Sequence, residues 1–415
     1  MDFDLELGAL AKLHITEKPV PVPIFNDEPK FPTYECYPNK TFLKKYKVID
    51  KNILGVGSSF IGQDTLAQFK ATAECIERLC LGICYNKQKF KMSRFNYTKD
   101  FLNPTFFTYK SKEFFERHKK LYKNIISSRY KWWRCFDFIN KRDVYVPAQT
   151  IFLTHGFTNE ARLHFESIST GAAFGKVDDL NTLKRGFLEV IERDAFITAY
   201  LTKRNVPEII DMPIKIKELV EYVGRYNLEV KVFDITTDLK IPVFMVLIID
   251  RTSMGPAISI GTKAGYDYQE TIIETIFEAL RPRAYERLKF NFGMIKKINE
   301  KHVFSIAERA AFWYPVNMIK YLNFWLKTSN KISYKNIPKY VNSFSKSIRI
   351  IKVKGYHVLI ASVGVKEILK VGYDTIKVII PELHPLYLDE RAKVLYSIHA
   401  GHINNKKELK PQPFQ

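Results

Sequence analysis

The spacing of apolar and polar residues along the chain predicts long helices separated by short strands. Apolar residues that recur every three to four positions predict helices over 63–84, 111–127, 178–203, 214–226 and 268–289. Runs rich in β-branched and aromatic residues predict strands over 143–153, 229–235, 243–249 and 257–261, with weaker strand signals over 347–353 and 357–363. This alternation predicts an α+β (mixed α/β) architecture.

Three segments depart from this alternation. Residues 1–45 are rich in proline and predict an irregular lead-in segment. Pro282 predicts a break or kink in the helix over 268–289, because proline lacks the N–H that a helix interior needs. Residues near 389–400 have a helix-like pattern, whereas the prolines of the final residues predict an extended tail.

Within two of the predicted helices, the pattern Glu-x-x-Glu-Arg occurs twice in otherwise apolar sequence. The copies are Glu74, Glu77 and Arg78, and Glu189, Glu192 and Arg193. Residues i, i+3 and i+4 share one helical face, so each copy places two carboxylates and a guanidinium on one stripe. One such copy is more often a solvated face with internal ion pairs. Two copies in apolar surroundings favour a Mg²⁺ site, because buried acidic pairs need a cation.

Composition and charge limit the remaining classes of function. The 415 residues are 46% hydrophobic, no run of 18 apolar residues is present, and the acidic N-terminus does not resemble a signal peptide. We therefore expect a cytoplasmic protein without membrane contact. The net charge of +21 suits an anionic partner, but no nucleic-acid motif accompanies it, so we expect no nucleic-acid binding. A glycine-rich phosphate loop is also missing, so side chains and metal would have to hold any nucleotide.

Three stretches resemble, in order, the motifs of the YcaO superfamily. They are Gly62 through Arg78, Ser169-Thr-Gly followed by the second Glu-x-x-Glu-Arg copy, and Glu278-Ala-Leu-Arg281-Pro-Arg283. The resemblance spans roughly residues 45–400. It implies a YcaO-type ATP-binding fold with long helices packed on β-sheets. The chain would divide into a proline-rich segment (1–45), a catalytic domain (46–405) and a tail that reaches the active site (406–415).

The resemblance also implies the cofactors ATP and Mg²⁺ and a role for each motif residue. It implies these magnesium ligands or their supports: Glu74, Glu77, Glu189, Glu192 and Glu278. It implies that the following residues contact the nucleotide: Arg78, Arg193, Arg283, Arg281, Lys70 and Ser169. The arginines could instead brace the carboxylates. The sequence departs from the family pattern at Lys70, Lys176 and Arg281, where the family has Ser, Asn and Gln. These basic replacements leave open a non-catalytic scaffold.

The chain ends Pro411-Gln-Pro413-Phe-Gln415, which resembles the Pro-x-Pro-x-Pro tail of azoline-forming members, with Gln415 in place of the last proline. A frayed terminus is the alternative. The resemblance implies that Pro411, Pro413 and the Gln415 carboxylate act in catalysis together with Arg193. The expected activity is an ATP- and Mg²⁺-dependent cyclodehydratase that forms thiazoline or oxazoline from Cys, Ser or Thr of a ribosomally made precursor peptide.

Two other functions remain open from the sequence, namely backbone thioamide formation and a scaffold subunit of a peptide-modification complex. For the cyclodehydratase, the expected partners are the precursor peptide and a separate protein that binds its leader. A flavin dehydrogenase and a homodimeric state are further expectations of the resemblance.

Overall fold

The computed structural model describes residues 3–48, 53–82, 90–153, 157, 159–163, 171–291, 293, 298–404 and 409–414. Its helices are α1 Phe3–Ala11, α2 Lys40–Tyr46, α3 Asp64–Gly82, α4 Lys112–Arg117, α5 Lys119–Ser127, α6 Leu180–Leu201, α7 Ile214–Gly224, α8 Tyr268–Asn291, α9 Ile306–Trp313, α10 Asn323–Leu326, α11 Phe344–Val353 and α12 Lys366–Lys370. Helices and sheets together form the α+β fold that the sequence predicts.

The strands lie in separate sheets. They are β1 Val20–Pro21, β2 Thr33–Cys36, β3 Gly55–Ser58, β4 Lys91–Arg94, β5 Arg129–Asp137, β6 Arg142–Pro147, β7 Gly171–Lys176, β8 Glu208–Ile210, β9 Leu228–Asp234, β10 Val243–Asp250, β11 Ile258–Ala264, β12 Lys331–Ser333, β13 Leu359–Ser362, β14 Tyr373–Ile379, β15 Tyr396–Ser397 and β16 Gly401–His402. The three larger sheets have the orders β1-β2-β3, β11-β10-β9-β8-β12 and β4-β5-β13-β14-β7, with β6 beside β5.

The helices that carry the acidic motifs pack between these sheets. Helix α3 lies on β3 and also touches β7, whereas α6 packs on β7 and β14 on one side and on β11 on the other. Helix α8 covers β10 and β11. A helix between two sheets must be apolar on most of its circumference, and α6 is buried along most of its length. The ionisable residues Glu192 and Asp194 of this helix therefore lie in the interior.

Two glycines allow the motif helices to approach their strands closely. A Cβ at Gly55 of β3 would collide with the backbone of α3 at Ala71 and Cys75. A Cβ at Gly171 of β7 would likewise collide with the α6 backbone at Gly186. Because each strand backbone lies directly against its helix, its N–H groups can reach side chains of that helix.

The structure confirms most predicted elements. It shortens the strand predicted over 143–153, which ends at Pro147 before a 3-10 turn at Ala148–Thr150, and corrects five other predictions. The segment 111–127 is two helices that meet at His118. Helix α8 continues through Pro282, so the predicted break is wrong, whereas the alternative of a kink stays a prediction. Residues 347–353 belong to helix α11 instead of a strand, because the Ser343 side chain caps a helix that buries Ile351. Residues 389–400 contain a short 3-10 turn at Glu390–Ala392 and strand β15 instead of a helix.

The fifth correction concerns residues 1–45, which are not irregular throughout. They contain α1, β1, β2 and the start of α2, and β2 pairs with β3 in antiparallel register. The division of the chain at residues 45 and 405 stays a prediction. Among the described residues, no helix is both long and apolar enough to cross a membrane.

Candidate functional site

The first motif copy forms a unit of strand backbone, carboxylate and guanidinium. The Val56 N–H on β3 donates to Glu74 Oε2 at 2.7 Å, and Arg78 Nη2 donates to Glu74 Oε1 at 2.6 Å. Arg78 Nη1 also donates to the Leu54 carbonyl at 2.7 Å. The close approach at Gly55 brings the strand N–H to the helix. The first glutamate of the motif is therefore fixed by its strand and by its own arginine.

The second copy repeats this unit on α6. The Ala172 N–H on β7 donates to Glu189 Oε2 at 2.8 Å, and Arg193 Nη2 donates to Glu189 Oε1 at 3.1 Å. Arg193 Nη1 lies 3.2 Å from Glu192 Oε1, and the Thr262 hydroxyl donates to the same oxygen at 2.8 Å. The sequence repeat thus corresponds to a repeat in structure. In each copy, the N–H that binds the first glutamate belongs to the residue after a glycine, Gly55 or Gly171.

The second glutamates of the two copies lie in a mutually repulsive, buried group of carboxylates. Burial and the nearby charges of Glu189 and Glu74 raise the pKa of Glu77 to about 8. Burial, opposed by Arg193 and reinforced by Glu278, raises the pKa of Glu192 to about 8. A cation placed among these oxygens would relieve both the burial cost and the repulsion.

Helix α8 adds the third motif to the same group. Arg281 Nη1 lies 3.8 Å from Glu74 Oε2 and donates to the Val56 carbonyl at 3.4 Å. Glu278 Oε2 lies 4.0 Å from Lys263 Nζ. Lys70 is exposed, and its electrostatic neighbours include Glu274, Lys263 and Arg281. The structure therefore brings Lys70 and Arg281, two of the departures from the family pattern, to the edge of the carboxylate group.

Arg283 is the predicted site residue that the structure separates from this group. It is 1% exposed, and it donates to both oxygens of Glu28, to Asp250 Oδ2 and to the Pro256 carbonyl at 2.7–2.9 Å. Its donors thus brace buried carboxylates other than those of the motifs. Its assignment to phosphate binding stays a prediction, and the bracing alternative is what this geometry favours. The predicted residues Ser169 and Gln415 lie outside the described residues.

The third departure, Lys176, lies elsewhere. It is exposed at the end of β7, where its ammonium is 3.0 Å from Glu6 Oε1 on α1. Its contact is therefore with the N-terminal segment. It adds no charge to the carboxylate group in this structure.

Three polar residues of the group were missed from the sequence. Lys377 on β14 is 2% exposed and has Glu189 and Glu77 as its nearest opposite charges. Burial lowers its pKa to about 8 against the effect of those carboxylates. Lys263 and Thr262 lie on β11. The available signal was a lysine inside an apolar strand sequence, since such a residue is rarely buried without a partner.

The C-terminal tail docks beside the second motif copy. The Trp313 indole N–H donates to the Pro411 carbonyl at 2.9 Å, and Arg309 Nη1 donates to the Gln412 carbonyl at 2.6 Å. Gln412 is fully buried, and the Phe414 ring lies 4.2 Å from the Arg193 guanidinium carbon. The order of this segment is a structural finding, whereas its part in catalysis stays a prediction.

The donor set suits Mg²⁺ in its chemistry, because Mg²⁺ prefers carboxylate oxygens together with phosphate oxygens. Within the described ranges, no three acidic, histidine or cysteine side chains already converge as a metal site. Glu74, Glu189 and Glu192 each pair with an arginine instead. Arg193 Nε makes no hydrogen bond, and Nη1 has the ion-pair contact with Glu192 without hydrogen-bond geometry. These weakly engaged donors and the arginine-paired carboxylates together fit a metal–phosphate ligand that would take over the pairings.

Comparison with known proteins gives the family. A family model described as YcaO cyclodehydratase, ATP- and Mg²⁺-binding, matches residues 62–384, which is well over half of the chain. A search of curated protein sequences finds no match. ATP and Mg²⁺, the cofactors predicted from the sequence, are those of the matching family.

Solved structures show the same fold at low sequence identity. A heterocyclase in complex with substrate and cofactor is 15% identical with a TM-score of 0.72, over 98% of this chain and 57% of that one. YcaO from Methanopyrus kandleri bound with AMPPCP and Mg²⁺ is 14% identical with a TM-score of 0.61, over 92% and 91%. The E. coli microcin synthetase McbBCD complex with pro-MccB17 bound is 14% identical with a TM-score of 0.64, over 96% of each chain.

The chain spans about 57% of the length of the first of these heterocyclases, so likeness to that protein extends to part of it. At such identities the structural likeness establishes the fold, whereas the matched family model covers all three acidic motifs. The chain therefore belongs to the YcaO family of ATP- and Mg²⁺-binding proteins.

Proposed function

We propose that the chain is an ATP- and Mg²⁺-dependent cyclodehydratase that acts on a ribosomally made precursor peptide. The observation that carries the proposal is the docked tail, which places Phe414 on Arg193 of the second acidic motif. Azoline-forming members have a tail of this kind. One of the similar structures contains bound pro-MccB17, which supports the substrate class.

The acidic side chains of the site would bind Mg²⁺, and the basic side chains would bind phosphate. The carboxylates of the two motif copies and Glu278 would hold Mg²⁺, because their buried, repelling charges favour a cation. Arg193 would turn Nε, which makes no hydrogen bond, and Nη1, which is ion-paired with Glu192, to phosphate oxygens, and Arg78 and Arg281 lie at the rim of the same group. When bound, ATP supplies the phosphoryl group that makes an amide oxygen a good leaving group.

The peptide chemistry is then a ring closure with loss of one water. The Cys, Ser or Thr side chain attacks the preceding amide carbon, forming a C–S or C–O bond and sending its proton to a base. This bond closes the ring; the former amide oxygen then leaves as part of inorganic phosphate, the amide nitrogen loses its proton, and a C=N bond forms within the ring. The Gln415 carboxylate is the predicted proton acceptor. The protein's contribution would be positioning together with stabilisation of the charge that moves.

Partner proteins are part of the proposal. One of the similar structures is the E. coli microcin synthetase McbBCD complex with pro-MccB17 bound, which supports a multi-protein assembly. A separate protein would therefore bind the leader and raise the effective concentration of the core peptide. A flavin dehydrogenase that oxidises the azoline and a homodimeric state stay predictions.

Mass spectrometry of a Cys-, Ser- and Thr-containing precursor, incubated with ATP, Mg²⁺ and a leader-binding partner, tests this function. We expect loss of one water mass per ring, with phosphate release in equal amount and only slow processing without the partner. Exchange of oxygen for sulfur in the presence of sulfide would identify a thioamide-forming enzyme instead. Absence of both peptide modification and ATP turnover would identify a scaffold subunit.

A further inference from the structure

The carboxylate group of this chain contains as many cationic side chains as acidic ones. The acidic members are Glu74, Glu77, Glu189, Glu192 and Glu278, joined at the rim by Glu274. The cationic members are Arg78, Arg193, Arg281, Lys263 and Lys377, joined at the rim by Lys70. A site that relied on divalent cations alone for neutralisation would have no need of so many fixed cations.

Lys377 is the most informative of these cations. It is 2% exposed on β14, a strand that α3 and α6 both contact. None of the hydrogen bonds or ion pairs among the described residues uses its ammonium nitrogen. Its nearest opposite charges are Glu189 and Glu77. An ammonium on an almost fully buried side chain has little water to solvate it, so an anionic ligand that reached it would be strongly stabilised.

Arg281 is held loosely where it meets the same group. Its two contacts are long, 3.4 Å to the Val56 carbonyl and 3.8 Å to Glu74, and its side chain is 31% exposed. Arg283, two residues further along α8, makes four contacts of 2.7–2.9 Å and is 1% exposed. Arg281 can therefore turn to a new acceptor at little cost, whereas Arg283 cannot.

We infer that Lys377 and Arg281 are built-in counter-cations for the polyphosphate of the nucleotide and replace part of the divalent charge that binding would otherwise need. This inference rests on the proposed function only in placing a polyphosphate at this group. Both side chains belong to secondary-structure elements of the chain, β14 and α8, so their charges stay in the site when the metal is removed. The chain should then keep substantial affinity for a nucleotide in the absence of Mg²⁺.

Calorimetric titration of a non-hydrolysable ATP analogue into the full chain at pH 7 tests the inference. The quantity compared is the ratio of Kd in EDTA to Kd in saturating Mg²⁺. We expect this ratio to rise at least about fivefold in Arg281→Gln and in Lys377→Met, because each variant must rely more on the metal. Lys377→Met keeps the side-chain volume and removes a buried charge, so folding is expected to persist, which circular dichroism verifies.

The matched controls are Arg225→Gln and Lys370→Met, which remove the same charges from exposed positions. Their ratios should equal that of the wild-type chain. A ratio that is unchanged or lower in both folded site variants overturns the inference. Failure of the wild-type chain to bind the analogue under either condition would instead refute the proposed function.

Discussion

The two copies of the acidic motif share a local structure but differ in what surrounds them. In both, a strand N–H and the motif's own arginine hold the first glutamate. The arginine side chain is 42% exposed in the α3 copy, at Arg78, and 13% exposed in the α6 copy, at Arg193. The residue that follows the arginine is Leu79 in one copy and the fully buried Asp194 in the other.

Those surroundings give the α6 copy its distinct place in the proposed site. The tail residue Phe414 covers Arg193, and His399 pairs with Asp194. The hydrogen bonds and ring contacts of Pro411, Gln412 and Phe414 involve residues outside the α3 copy. The comparison teaches that the Glu-x-x-Glu-Arg spacing fixes the carboxylate unit, whereas elements distant in sequence decide whether that unit also meets the tail.

The largest expected effect is at the second glutamate of the α6 copy. Glu192→Gln keeps the shape of the side chain and removes a charge that Mg²⁺–ATP would need. ATP turnover should fall at least about 100-fold, or roughly 2.7 kcal/mol in barrier. The equivalent change in the α3 copy, Glu77→Gln, should also lower turnover, and steady-state phosphate release measures both. Glu221→Gln on the exposed face of α7 is the control. Unchanged turnover in both site variants would remove the carboxylates from the site.

The tail should affect the α6 copy more than nucleotide binding as a whole. Deleting the five residues after Lys410 removes the Phe414 ring from Arg193 and should slow cyclisation about 10-fold or more, at least ~1.4 kcal/mol in barrier. Mg²⁺–ATP binding should persist, because the α3 copy and α8 are untouched. Adding residues after Gln415 should also slow cyclisation by displacing its carboxylate. Full cyclisation rate in such an extended chain, measured by mass spectrometry, would exclude the tail from catalysis.

The last expected effect is the pH dependence that His399 contributes beside the α6 copy. Although burial lowers it, ion pairs with Asp194 and Asp238 raise the pKa of His399 to about 9. The folded-state pKa is above the unfolded one, so this stabilisation is fully present below about pH 6.5 and is lost as pH rises through 9. Between pH 6 and 10 the free energy of unfolding should fall by roughly 1–3 kcal/mol more in the wild type than in His399→Asn. Urea denaturation at each pH measures this free energy. The same pH dependence in the wild type and in His399→Asn would refute the ion pair.

Much of the fold and of the candidate site could be predicted from local sequence patterns. The features that could not be predicted depend on contacts between residues distant in sequence. Helices α3, α6 and α8 follow from apolar spacing, and the carboxylates follow from the repeated motif that those helices carry. Lys377 could not be placed, because only the pairing of β14 with β7 brings it to Glu189. The partner of Arg283 is Glu28, 255 residues away, in a segment whose prolines gave no helical or strand period. The wrong strand over 347–353 arose because β-branched residues there also fit the buried face of α11.

The position of the metal tests most directly whether the two acidic motif copies form the Mg²⁺ site. Crystals grown with Mn²⁺ and a non-hydrolysable ATP analogue would show the ions by anomalous scattering. We expect Mn²⁺ between α3 and α6, within about 2.0–2.3 Å of oxygens from Glu77, Glu189 or Glu192. The same ions should also contact phosphate oxygens of the analogue. Anomalous peaks only at other places, with the Arg193–Glu189 and Arg78–Glu74 pairs intact, would contradict it.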